Sequence, residues 1–449
     1  MDAVTGWGYA MMRAAVFSPN LARPALLLLM ASMVIACFAI AGPRSALLLS
    51  VGLGFGLVLE GLRFGFAGPW RHMLMERDCR GLIAQFIAIA LCALVMFPLL
   101  AGAPIELSGA HAPIGIAMIA GAFVFGITMQ MVMGCGSGVL VNAGSGNFNA
   151  VLALPGFIAG SFLGSLHVNW WTGLGSLPVY TVQSLLGVGN GLIATLMGLF
   201  ILSLLAIFYA SPGKRLPVAR LWWAAALIAG LAILNLIIAG QPWGVVYGLG
   251  LWGAKLAQAG GMDLALTSTW SSPANAERLT ESLFTDVTTL TNIGLMTGAL
   301  VIMQWRRALA DGPQDPQVQT SKPAFWLVML LAGVIMGYSA RIAFGCNVGA
   351  YFSGISSGSL HGWVWFAAAF AGSALGIRFR NKLVSVTTDS APAIVLPARA
   401  TVSSAAAIAL VLLLWLDNYM TDPINPFAAP WPTALGSGEV PSGAHCTDQ

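Results

Sequence analysis

Two stretches of the sequence repeat each other, and each is centred on a Gly-Cys pair. The first runs from Phe125-Gly126 through Gly134-Cys135 to AGSFLG at 159–164, and the second runs from Met336-Gly337 through Gly345-Cys346 to AGSALG at 371–376. The cysteines lie 211 positions apart and the AGSxLG stretches 212, so a single inserted residue separates the two copies. Duplicated membrane units commonly place irregular, functional backbone at the interface between the repeats. The duplication therefore predicts that both Gly-Cys pairs lie at one site.

The composition indicates a protein that is embedded in a lipid bilayer. Of 449 residues, 58% are hydrophobic and only 8% are charged, and the mean hydropathy is +0.83, whereas a soluble domain carries about 25% charged residues. The formal charge of +4 is too small to indicate a nucleic-acid partner, and the irregular spacing of the six cysteines does not predict a disulfide framework. The five histidines show no metal-binding spacing and no P-loop is present, so no cofactor is expected.

Apolar stretches predict an all-α polytopic membrane protein, since about 20 such residues cross the ~30 Å of hydrocarbon in a bilayer. Long candidates lie at 25–42, 82–101, 186–210, 219–240, 288–304, 324–344 and 401–416. Shorter or glycine-broken candidates lie at 45–62, 113–133, 148–166, 244–260 and 361–377.

Positive charge predicts the orientation of these segments. Arginine and lysine cluster in four loops, which the positive-inside rule places in the cytoplasm: Arg63 to Arg80, Lys214 to Arg220, Arg306 to Lys322, and Arg378 to Arg399. The segment before Cys135 then runs inward and the segment before Cys346 runs outward, so the two repeats are expected to be inverted. A full crossing at 244–260 would break this pattern, so we expect some short glycine-rich segments to be re-entrant, which is tolerated where they are buried in protein or line a cavity.

These features predict five regions along the chain. They are an N-terminal segment with the first transmembrane helix (1–44), a first transport repeat (45–210), a linking loop and helix (211–243), a second transport repeat (244–380), and a cytoplasmic loop, last transmembrane helix and flexible external tail (381–449).

The motifs resemble those of the YeeE/YedE family. The resemblance rests on the two GCxxG segments, on the glycine-rich stretch at 52–56, on the Arg63-Phe64-Gly65-Phe66 sequence that follows it, and on the duplicated halves. The family contains bacterial inner-membrane permeases for thiosulfate uptake. The resemblance implies an hourglass-shaped helical protein in which broken helices meet at a central constriction and cysteine thiols line the path. It also implies a TusA-like sulfur carrier as a cytoplasmic partner.

Cys135 and Cys346 fall on the two family cysteines of the GCxxG motifs, but the sequence departs from the family at Gly65. Thiosulfate-type members often carry a cysteine at this place in the early Arg-Phe-x-Phe stretch. One thiol of the path is therefore missing here. An alternative role for Gly65 is conformational, since glycine allows backbone angles and close approaches that other residues do not.

The chemistry of such an anion favours the same residues. Thiosulfate carries two negative charges and a soft terminal sulfur, so a path through the membrane must offer N–H donors and positive helix ends. A thiol is a weak donor that can bind a soft sulfur and release it again. The predicted substrate site comprises Gly134, Cys135, Gly136, Gly345, Cys346, Asn347, Arg341, its repeat counterpart Gln130, and Gly65.

Several of these residues have plainer interpretations that stay open at this point. Arg341 either stabilises the anion or binds loop carbonyls, and the AGSxLG glycines are best explained by close packing of helices. Glu60 and Arg63 are expected to form a structural ion pair, and Cys92 to be a packing residue.

The sequence favours a permease for thiosulfate or a related small sulfur-containing anion in the bacterial inner membrane. One alternative is a membrane sulfurtransferase in which Cys135 or Cys346 takes up a sulfane sulfur as a persulfide. Another is a permease for a different species, such as a selenium compound.

Overall fold

The computed structural model describes residues 19–309, 320–321, 323–388, 394–395 and 417. In chain order the helices are α1 Pro19–Gly61, α2 Ala67–Glu76, α3 Arg80–Gly102, α4 Ile116–Val132, α5 Gly136–Gly144, α6 Phe148–Thr172, α7 Val182–Leu186, α8 Val188–Tyr209, α9 Ala219–Ala239, α10 Val246–Ala259, a 3₁₀ turn Leu264–Leu266, α11 Pro273–Thr280, α12 Val287–Leu309, α13 Pro323–Ile342, a π-helical segment Asn347–Ser353, α14 Gly354–Ser356 and α15 Leu360–Thr388. Two short strands, β1 Thr320–Ser321 and β2 Ile394–Val395, pair antiparallel. The predicted all-α class is confirmed.

Within the described residues, nine helical stretches are long and apolar enough to cross a membrane. They are Arg23–Gly61, Arg80–Gly102, Ile116–Gly144, Phe148–Thr172, Val188–Tyr209, Ala219–Ala239, Val287–Arg306, Phe325–Ser356 and Leu360–Arg380. Large apolar side chains on α8, such as Phe208 and Leu205, are exposed and would contact hydrocarbon. The chain is therefore a multi-pass membrane protein. The predicted span at 401–416 lies outside the described residues.

Two backbone features decide which predicted segments can cross. Helix α1 is interrupted at Gly42, where φ is 82° and ψ is 179°, so the stretches at 25–42 and 45–62 are separate helical pieces. Helix α10 has only 14 residues, a length of about 21 Å, which is too short for a bilayer. Its first nine residues are buried inside the protein. The crossing at 244–260 that conflicted with the charge pattern is thus not a full span.

The two repeats exchange equivalent contacts. A Cβ atom on Gly126 of α4 would lie 2.1 Å from the backbone oxygen of Ala369 in α15, and one on Gly337 of α13 would lie 2.2 Å from that of Phe157 in α6. Gly126 and Gly337 occupy equivalent repeat positions, as do Phe157 and Ala369. The AGSxLG glycines do the same, Gly160 against Val334 and Gly372 against Phe123. These glycines let the backbones of crossing helices touch, as the packing interpretation predicts.

A second pair of helix crossings surrounds the first. Helix α1 packs against α12, where Gly52 and Gly56 lie against the backbone oxygens of Thr291 and Leu295. Helix α3 packs against α9, and here the thiol of Cys92 lies 3.6 Å from the Ala229 oxygen. Helix α9, from the linking region at 211–243, thus packs on the third helix of the first repeat, as α1 packs on α12 of the second repeat.

The chain beyond the second repeat returns to its surface at Asp417. This carboxylate is buried, forms an ion pair with Lys255 at 2.9 Å and accepts a hydrogen bond from the backbone N–H of Leu283 at 2.6 Å. These two contacts hold the Asp417 carboxylate against the second repeat.

Candidate functional site

Each Gly-Cys pair follows an unusual turn that ends the preceding helix. Met133 (φ 62°) and Phe344 (φ 58°) occupy equivalent positions and both adopt the left-handed conformation, which costs a non-glycine residue about 1–3 kcal/mol. Gly345 continues the break with φ at 144°. Cys135 (φ −79°, ψ −172°) and Cys346 (φ −95°, ψ −168°) then cap the short helices that follow with nearly the same extended geometry. The same strained break is therefore built twice.

Backbone N–H groups face both sulfur atoms. The sulfur of Cys135 faces the N–H groups of Ser137 and Gly138, and that of Cys346 faces those of Val348 and Gly349, which are the equivalent residues. The Ser137 hydroxyl also lies 3.3 Å from the Cys135 sulfur. Free N–H groups give the first turn of a helix a partial positive charge, so both thiols sit where an anion would be stabilised.

The two sulfur atoms converge from different repeats. A Cβ atom on Gly136, next to Cys135, would lie 2.9 Å from the sulfur of Cys346, and the N–H of Ser137 faces that sulfur as well. Cys135 and Cys346 are free thiols with exposed fractions of 1% and 0%. The structure thus brings together Cys135, Gly136 and Cys346, at the point where the two broken helices meet.

A cavity of about 190 Å³ leads from the surface to Cys135. Its mouth carries Glu60 and Arg63, whose side chains pair at 3.7 Å, and the Arg63 side chain is 62% exposed. Arg306 donates a hydrogen bond to the Glu60 carboxylate at 3.1 Å, so the expected ion pair is part of a group of two arginines and one carboxylate. Gly65 and Gly134 line the cavity wall. The cavity therefore combines an exposed arginine, paired with Glu60 at its mouth, with a thiol at its end.

The structure gives Gly65 no conformational role. Its φ lies outside the left-handed region, and a Cβ atom placed on it would meet nothing within 4 Å. The residue is held instead through its carbonyl, which accepts a hydrogen bond from Gln85 at 2.8 Å. Space for a side chain is available on the cavity wall.

Gln130 and Arg341 contact the first turns of two short helices. The Gln130 amide donates to the carbonyl of Ala67, the first residue of α2, at 3.2 Å. The buried guanidinium of Arg341 lies 5.4 Å from the ring centre of Tyr247, the second residue of α10, and Arg278 lies 5.1 Å from the same ring. These equivalent residues position the loops that enter the centre of the protein.

Sequence reasoning missed two carboxamides that fix these entry loops. Gln85 of α3 binds the loop before α2, and Asn292 of α12 donates to the Val245 carbonyl, in the loop before α10, at 3.0 Å. Gln85 is the one carboxamide in an otherwise apolar helix, and this signal was available in the sequence, whereas Asn292 lies among threonines in a helix that also holds Gln304. Asn347, by contrast, is fully buried, and neither polar atom of its side chain has a hydrogen-bond partner in the described part of the chain.

Residues 62–375, more than half of the chain, match the family described as sulphur transport. The chain belongs to this family. It is 27% identical over 334 residues to a thiosulfate transporter, TsuA, of Spirochaeta thermophila, which covers 70% of this chain and 93% of that protein. It is 28% identical over 162 residues to the probable transporter YedE of Escherichia coli, covering 35% of this chain and 38% of that protein.

These similarities confirm the resemblance to the YeeE/YedE family and place the chain among transporters rather than enzymes. The family match begins at residue 62 and ends at 375, so it contains both Gly-Cys turns and the loops that enter beside them.

Proposed function

We propose that the protein is a permease of the bacterial inner membrane for thiosulfate or a related small sulfur-containing anion. The observation that carries the proposal is the convergence of two buried thiols, each facing backbone N–H groups, one of which lies at the end of a cavity with Arg63 at its mouth. The similarity to a protein named a thiosulfate transporter, which extends over 93% of that protein, supports the choice of anion.

The two thiols would contact the soft sulfur while backbone N–H groups contact the charged oxygens. Cys135 and Cys346 donate weak S–H hydrogen bonds, and the first turns after them supply stronger N–H donors. Binding through several weak contacts allows the anion to enter and to leave, as conduction requires. Gly134, Gly136 and Gly345 keep this passage narrow and leave the backbone accessible, and Asn347 adds a carboxamide beside Cys346.

In this proposal the repeats are inverted, with Arg63 at the cytoplasmic mouth and the loop that contains Arg278 outside. Arg341, against the ring of Tyr247, brings positive charge to the outer side, where it would attract a dianion. Arg278, against the same ring, is paired with Asp286 at 3.1 Å. Gln130 holds the inner entry helix through the Ala67 carbonyl. The central constriction lies between these two charged regions.

A thiolate of a TusA-like carrier at the cytoplasmic mouth would take the terminal sulfur of the transported thiosulfate as a persulfide, and sulfite would leave. This part of the proposal rests on the family resemblance and on the exposed Arg63 at the mouth. A sulfurtransferase would split the anion at the membrane, whereas a permease delivers it whole.

The test is uptake of thiosulfate into membrane vesicles of known orientation, with the two sulfur atoms of the anion separately labelled. A permease accumulates both labels in equal amounts. Cys135→Ala and Cys346→Ala should each reduce uptake at least tenfold without loss of membrane expression. Cys92→Ala is the matched control, because that thiol is also buried but contacts only a helix carbonyl, and it should transport normally. Separation of the labels, or normal uptake by both site variants, would contradict the proposal.

A further inference from the structure

The two loops that enter the centre are equivalent but carry different side chains. Phe64 and Gly65 lie two residues and one residue before the N-cap of helix α2. Trp243 and Gly244 lie at the same two positions before the N-cap of helix α10. A carboxamide from the repeat's third helix binds a carbonyl of each loop, as described for Gln85 and Asn292. Trp243 therefore occupies in the second repeat the place that Phe64 occupies in the first.

Two glycines of the second repeat have free space beside their α-carbons. Phe64, Gly65 and Gly138 line the cavity that ends at Cys135. The glycines equivalent to the last two are Gly244 and Gly349, and a Cβ atom on either would meet nothing within 4 Å. The equivalence places Trp243 and Cys346 around this second space, as Phe64 and Cys135 surround the first.

Two hydrogen-bonding groups on this side are buried and lack a partner within the described residues. They are the indole N–H of Trp243 and the carboxamide of Asn347, in side chains that are 1% and 0% exposed. The Trp243 ring is fixed by stacking on Phe55, with ring centres 3.8 Å apart. A buried polar group is normally paired, so an unpaired one calls for an occupant or a function.

The first repeat offers no such donor at the equivalent positions. Phe64 stands in place of Trp243, and Gly136 in place of Asn347. The Ser137 hydroxyl is close by but already engages the Cys135 sulfur at 3.3 Å. Both repeats thus contribute a thiol to the constriction, but at these two positions only the second repeat contributes side-chain N–H donors.

We infer that Trp243 and Asn347 form an oxyanion subsite beside Cys346, which holds the oxygens of the passing anion while its terminal sulfur points toward Cys135. The inference rests on the proposed function and adds to it a direction and a basis for selectivity. An anion with oxygens at one end and a soft sulfur at the other satisfies both sides at once. Sulfite and hydrosulfide each satisfy only one side.

The chain provides a matched control in Trp365. Its indole N–H is also buried without a partner among the described residues, but its ring packs against Trp70 and Phe125, 6.4 Å and 5.5 Å away between ring centres. Trp365→Phe removes the same N–H from a buried aromatic side chain outside the entry loops.

The experiment measures labelled thiosulfate uptake in vesicles, with sulfite or hydrosulfide as competitor at pH 8. Trp243→Phe should raise the KM for thiosulfate and the inhibition constant of sulfite about tenfold, because it removes one hydrogen-bond donor to a charged oxygen. The inhibition constant of hydrosulfide should stay unchanged. Asn347→Ala should act in the same direction, and Trp365→Phe should change neither constant.

Equal shifts for sulfite and hydrosulfide, or no shift for either, would overturn the subsite, because a merely structural role does not distinguish the two competitors. Wild-type vesicles that take up no thiosulfate would instead refute the proposed function. In that case, binding of sulfite to purified wild-type and Trp243→Phe protein still tests the subsite, and equal affinities would reject it.

Discussion

Replacing Gly136 with alanine is the sharpest test of how closely the two repeats meet. The added methyl carbon would lie 2.9 Å from the sulfur of Cys346, 3.2 Å from its Cβ and 3.3 Å from a ring carbon of Phe157. A carbon–sulfur contact needs about 3.5–4 Å, so Cys346 must move by most of an ångström. Such overpacking costs about 1–3 kcal/mol, offset in part by the higher helix propensity of alanine, worth up to ~1 kcal/mol. The protein should fold but with a displaced thiol.

The expected result is a fall in thiosulfate uptake of tenfold or more, with a modest loss of thermal stability in detergent. Gly230→Ala is the control, since it lies inside helix α9, outside the cavity lining, and its methyl group would meet nothing within 4 Å. It keeps the backbone N–H and gains the same helix propensity. Wild-type uptake by Gly136→Ala, or equal damage in both variants, would show that the constriction is not where the two cysteines converge.

Two further outcomes are expected. Gly65→Cys should raise thiosulfate uptake a few-fold, since a thiol in the open space on the cavity wall adds one weak hydrogen bond of about 0.5 kcal/mol. Gly65→Ala should leave uptake unchanged. Loss of uptake in both variants would show that the backbone of Gly65 matters. Burial, and next the Asp78 carboxylate, raise the pKa of the Cys79 thiol, so its maleimide labelling should require a higher pH than that of an exposed cysteine introduced elsewhere; coincident pH profiles would contradict this.

The convergence of Cys135 and Cys346 could be predicted from the sequence, because the two copies share glycines where the backbone geometry requires them. The broken turns share a Gly-Cys pair and the crossings share AGSxLG, because these positions depend on backbone geometry and close packing. The membrane class followed from apolar length, and the charge pattern correctly questioned a crossing at α10.

The entry loops were not recognisable as equivalents. Their offset is 179 positions between Gly65 and Gly244 rather than 211, since the connections between helices differ in length, and only one glycine is shared between Phe64-Gly65-Phe66 and Trp243-Gly244-Val245. These loops require a large apolar side chain and one residue with an accessible backbone, and many sequences meet these requirements. Whether a buried amide such as Gln85 or Asn347 has a partner depends on distant helices and is not encoded locally.

The crossings at Gly126 and Gly337 restrict how this protein can work. Backbone touches backbone there, on both sides of the paired thiols, and packed interfaces of this kind do not deform continuously. A rocking motion of one half against the other would have to separate these contacts, so we expect the walls to act as a stationary frame. Opening would then be confined to the thiol rotamers and the short helices after Cys135 and Cys346, pivoting at the left-handed turns of Met133 and Phe344. We therefore expect a rigid helical frame in which two short segments, one beside each thiol, are the moving parts.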